Sequence, residues 1–175
     1  MKVRSVVMVS LVFLLGVTAG FAAKKGIDSA MYSGKSKQEA AKALLEVAKT
    51  QAGKGSWERL GVARAYYLGG MKGEGQAIID SITSSKKVEG SDWLRVGKIY
   101  YAANEWGKAK DAFDKAIQLD PKQDKWLAEI GSYYLLKGDR AKAEELFNRS
   151  FAIESGEVWN TANIAGAYLG VQPME

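Results

Sequence analysis

From about residue 36 onward the apolar positions of this chain follow a helical rhythm, recurring at i, i+3, i+4 and i+7. WLRVGKIYYAA (93–103) predicts one amphipathic helix, and NEWGKAKDAFDKAIQLDP (104–121) predicts a turn and a second. Asn104 is the expected N-cap of that second helix and Pro121 its stop. Asp139 is the expected cap of the equivalent helix in the next unit, after Lys137 and Gly138. SKQEAAKALLEVAKT (36–50) predicts a further helix, opened by a Ser36–Glu39 capping box. With VWNTANIAGAYLG (158–170) closing the series, the pattern predicts eight helices.

The rhythm repeats at a longer period. Tyr66, Tyr100, Tyr134 and Tyr168 stand 34 residues apart, and three residues before each lies a small side chain: Ala63, Gly97, Gly131, Ala165. A second small column, Ala41, Gly75, Ala109 and Ala143, is followed four residues later by Leu45, Ile79, Phe113 and Phe147. Trp57, Trp93, Trp126 and Trp159 recur at nearly the same interval. Small residues belong where two antiparallel helices approach closely, and large apolar ones fill the gaps beside them. A fixed period of this length marks a stack of helix pairs, each covering the apolar face of its neighbour.

The pattern resembles the tetratricopeptide repeat family. Trp93, Gly97, Tyr100, Ala109, Phe113, Ala116 and Pro121 fall at the family's spacing. A second copy matches with Gly131, Tyr134, Ala143 and Phe147, although Ser150 and Ser155 replace the usual Ala and Pro. The copy at 56–87 is weaker: GGMKGEG (69–75) places four glycines around the start of its second helix, and Lys87 stands where Pro is usual. The resemblance implies an all-α, right-handed α-solenoid of antiparallel helix pairs over residues 36–171. Its repeats would span about 56–87, 90–121 and 124–155, between a lone second helix at 36–51 and a lone first helix at 158–170.

The segment before the repeats changes the picture. In residues 1–22, Lys2 and Arg4 precede an apolar stretch from Val6 to Val17, and Gly20 and Ala22 occupy the −3 and −1 places for cleavage. That layout predicts a secretory signal peptide cleaved near Ala22 and a periplasmic or secreted protein. The apolar stretch is shorter than the roughly 20 residues that span a bilayer, so no stable membrane anchor is expected. Residues 23–35 read as a flexible lead. Two of the 25 basic residues belong to the leader, so the formal charge of +5 falls to +3 for the remainder.

Composition narrows the chemistry. The chain has no Cys and no His, which removes a disulfide framework, a thiol nucleophile, an imidazole base and the common metal cages. GGMKGEG lacks the GxxxxGK[ST] frame of a phosphate loop. Charges are interleaved rather than blocked, so nucleic acid is not an expected partner. No catalysis, cofactor or metal is expected.

In the resembled family the first helices line a concave groove where partners bind. That placement implies a lining of Trp57, Arg64 and Tyr67 from the first pair, Arg95, Lys98 and Tyr101 from the second, and Lys125 from the third. Four cations beside aromatic anchors suit a peptide or protein segment with acidic residues. A carboxylate clamp of the kind found in chaperone-binding relatives is not matched: Leu60, Arg64, Arg95 and Glu129 depart from it, and only Lys125 agrees. The expected function is an exported, non-catalytic scaffold or adaptor for protein–protein or protein–peptide interaction. The alternative is a self-associating structural protein of the cell envelope, a homo-oligomer whose stacked repeats, imperfectly capped, join end to end or as dimers through Trp57 or Trp159.

Overall fold

The computed structural model describes residues 26–174. The leader expected at 1–22 lies outside the described residues. Among the described residues eight α-helices run in order: α1 (Lys37–Ala52), α2 (Ser56–Leu68), α3 (Lys72–Thr83), α4 (Gly90–Ala102), α5 (Trp106–Leu119), α6 (Asp124–Leu136), α7 (Arg140–Ile153) and α8 (Val158–Tyr168). Among the described residues there is no strand, and no helix is long and apolar enough to cross a membrane. Within the expected lead, Ser29–Met31 form one 3-10 turn against α1, opened by Asp28 accepting from Ala30 N at 2.9 Å.

Local chemistry sets the helix ends. Ser36 and Glu39 form the reciprocal capping box of α1. Asp139 Oδ1 accepts from Lys142 N at 3.1 Å at the start of α7. The expected cap at Asn104 is corrected. Glu105 precedes α5, and Asn104 belongs to the preceding turn, with a φ of 59°. Gly70 and Gly138 occupy the same place 34 residues to either side, with φ of 88° and 87°. Each turn is closed by a bond across five residues: Met71 N to Tyr66 O, Glu105 N to Tyr100 O and Asp139 N to Tyr134 O, at 2.9, 2.9 and 3.0 Å. That left-handed residue and its long bond form the C-terminal motif of a helix, and asparagine is the side chain that best replaces glycine there.

Packing follows the columns. α2 pairs with α3, α4 with α5 and α6 with α7; α1 lies on α2, and α8 lies on α6. A Cβ added at Gly97 would stand within bonding-overlap range of the Phe113 ring, and one at Gly131 would be 2.6 Å from Phe147 Cε1. At Gly97 and Gly131 the small residue of the first helix therefore admits the large residue of its second. Phe113 is fully buried and stacks on Tyr133 of the next pair, with ring centroids 5.2 Å apart. Trp106 closes the same cluster against Tyr101 and Tyr134.

The tyrosine column forms rungs between units. Tyr66 donates to Glu46 at 2.8 Å, Tyr134 to Asp114 at 3.2 Å and Tyr168 to Glu144 at 3.1 Å, while Tyr100 exchanges hydrogen bonds with Gln76. Each hydroxyl reaches back to the second helix of the unit before it. Burial and the Glu46 carboxylate push the Tyr66 hydroxyl up to about 12; burial, then Asp114, raise that of Tyr134.

Candidate interaction face of the first helices

One face of α2, α4, α6 and α8 carries the residues expected to meet a partner, and it is not uniform. Between α2 and α4, Trp57, Leu60, Gly61, Arg64, Arg95 and Lys98 surround a recess of about 470 Å³. Trp57 is 63% exposed, and the Arg95 guanidinium stacks over its indole. Such stacking holds a cation over an apolar plane, leaving a flat surface able to take an aromatic or aliphatic side chain beside charge.

Two cations of the face, one at the recess and one farther along, are paired within the chain. Lys98 Nζ stands 2.6 Å from Glu129 Oε1, with only 18% and 13% of the two side chains exposed. The contact is ionic rather than an aligned hydrogen bond. It ties α4 to α6. Lys125 pairs with Glu157 at 3.3 Å and so ties the start of α6 to the start of α8. Tyr101 is half-buried, packed on Trp106 and Tyr133, with Lys137 Nζ 4.9 Å from its ring centroid. Lys137 also donates to Asn104 Oδ1 at 2.9 Å.

Tyr67 is corrected as a lining residue. Only 2% of it is exposed, and its hydroxyl turns away to donate to Glu105 Oε2 at 2.8 Å. Lys72 and Lys108 reach the same carboxylate at 2.6 and 2.8 Å. Hydrogen bonds from Lys108, Lys72 and Tyr67 hold the Glu105 carboxyl down to about 2, and the carboxylate raises both lysines in turn. Glu105 escaped sequence reasoning because it stands 38 residues from Tyr67, on a different pair. Its one signal was its place immediately before the second helix.

The seven expected residues thus divide. Trp57, Arg64, Arg95 and Lys98 meet at one recess; Tyr101 and Lys125 lie farther along the face; Tyr67 belongs to the interior. Among the described residues, no three acidic side chains gather in a way that could hold a metal ion.

Residues 91–123, spanning α4, α5 and the turn after them, match the sequence profile of the tetratricopeptide repeat family. This stretch is a tetratricopeptide repeat. Among curated proteins, none matches it. Tetratricopeptide repeats generally mediate protein–protein interaction, and in this repeat protein the matched unit supplies Arg95, Lys98 and Tyr101 to the face just described.

Proposed function

We propose that this repeat protein is an exported scaffold that binds a segment of another protein on the face of its first helices, without catalysis. The observation that carries the reading is the recess between α2 and α4, where an exposed tryptophan lies under an arginine. An exposed large aromatic beside a cation is the usual composition of an interface anchor. Lys98 and Lys125 already face carboxylates of the chain, so an acidic residue of a partner competes with Glu129 and Glu157 for them.

Partners are first identified by crosslinking in intact cells. Trp57→Ala and Arg95→Glu should each then cut capture of the principal partner by about tenfold, the scale of one hot-spot side chain. Capture unchanged in both variants would remove this recess from the reading. Export is tested separately by N-terminal sequencing of the mature protein. A start near Ala23 supports it, and an intact Met1 on membrane-bound material would overturn cleavage.

A further inference from the structure

The two ends of the stack are halves of one repeat. α1 carries only second-helix columns, Ala41 and Leu45, and α8 carries only first-helix columns, Ala165 and Tyr168. Inside the stack every such residue is covered: Ala63 and Gly97 on first helices, Gly75 and Ala109 on second helices, all buried. At the ends, nothing among the described residues covers them. Ala41 and Ala165 are exposed, and Leu45 is only partly buried.

The bare faces have matching shapes. At 100° per residue, Val158, Ala162, Ala165 and Leu169 share one side of α8, and all four are exposed; Leu169 is 83% exposed. On α1 the counterpart is a recess of about 650 Å³ lined by Ala41, Leu44, Leu45, Ala65, Gly69 and Met71. It lies against α1 and the C-terminal end of α2, where the C-terminal half of a preceding first helix would sit. The short tail after α8 does not cover the bare side. Its Val171 N bonds Gly166 O at 2.8 Å and Met174 N bonds Asn163 Oδ1 at 3.3 Å, which places it along the Asn163–Gly166 side.

We infer that a second copy of this chain is the occupant: α8 of one molecule packs on α1 of the next as the first and second helices of a completed repeat. Small would meet small at Ala165 and Ala41, as at Gly131 and Ala143. Leu169 would enter the apolar recess from the position that Tyr67 and Tyr101 hold within the chain. The joint is head to tail, so it leaves a bare α1 and a bare α8 on every oligomer and growth is open-ended. The inference is independent of the recess at Trp57.

Each of two exposed alanines gives a variant that blocks one end only. The protein, taken as the cell processes it, should rise in mass by whole monomers with concentration in sedimentation and light scattering. Ala41→Arg and Ala165→Arg should each remain monomeric, with unchanged helix content by circular dichroism. Mixed in equal amounts, the two variants should form a dimer that grows no further, since one supplies an intact α8 and the other an intact α1. Should an arginine lower helix content, Ala41→Glu and Leu169→Asp serve in its place. A wild-type protein that stays monomeric up to about 1 mM, a variant that dimerises alone, or a mixture that stays monomeric would overturn the joint.

Discussion

The seam between α4 and α5 and the outer surface of α8 are built from the same columns but meet different fates. In the seam, Gly97 lies under Phe113, which is fully buried and stacked on Tyr133. On α8, Ala165 occupies the column of Gly97 and has no second helix over it. The comparison separates two causes that a sequence pattern mixes. A small residue is required where a large one presses on it, and is merely permitted where nothing does.

The largest effect should come from emptying the seam. Phe113→Ala should destabilise the protein by about 3–5 kcal/mol, through lost burial and a residual cavity, as read from denaturant unfolding. A change below about 1 kcal/mol would mean that the seam collapses around the gap. Next, Gly97→Ala should cost about 1–3 kcal/mol, because the new methyl overlaps the Phe113 ring and the ring has buried neighbours on its far side. Ala165→Val, in the same column, should change stability by less than about 0.5 kcal/mol. Equal costs at the two positions would break the comparison.

A smaller effect belongs to Glu105, which joins α2, α3 and α5. Its folded carboxyl, held at about 2, lies below the ordinary carboxylate value of 4.5. Its stabilisation is therefore fully present above that range and is lost as pH falls from about 5 toward 2. With two largely exposed lysines as partners, Glu105→Gln should cost about 1 kcal/mol near neutral pH. The gap between wild type and variant should close by pH 2–3 in thermal melts. A gap that persists there would assign the loss to packing instead of charge.

The smallest effect has the opposite sign. Gly73 lies within α3 and a Cβ there would meet nothing within 4 Å, so Gly73→Ala should stabilise by about 0.5–1 kcal/mol. Two residues on, a Cβ at Gly75 would stand 2.8 Å from Tyr67 N and 2.9 Å from Ala63 O. Gly75→Ala should therefore destabilise, in the same denaturant series. Three of the four glycines at 69–75 thus differ: Gly70 turns the chain, Gly75 admits a neighbouring backbone, and Gly73 does neither.

The helices, their order and the pairings were legible because each column carries a steric reason that repeats. Ser150, a departure from the usual Ala, shows where that reading stops. It is fully buried, donates to Asp124 O at 2.8 Å and accepts from Asn160 Nδ2 at 3.4 Å, and Asn160 also reaches Asp124 Oδ2 at 2.7 Å. Three residues from three helices satisfy one another there, and no spacing announces it. The face of the first helices was legible as a list and not as a charge pattern. A repeat places Lys98 and Lys125 on the face, but whether a carboxylate from the next helix meets them depends on single residues, Glu129 and Glu157, outside the repeating columns. Tyr67 misled for a related reason: its backbone lies against the narrow approach at Gly75 and its hydroxyl bonds Glu105, a residue of another pair.

The turns at Gly70, Asn104 and Gly138 carry a consequence for how such a chain changes length over generations. Because these turns recur 34 residues apart with the same hydrogen bond, a gene segment duplicated between two successive turns splices in one new helix pair with the same turn at each junction. The two terminal helices keep their own surfaces through every such event. Length in this protein is therefore a heritable variable set by copy number, while the identity of its ends is inherited separately.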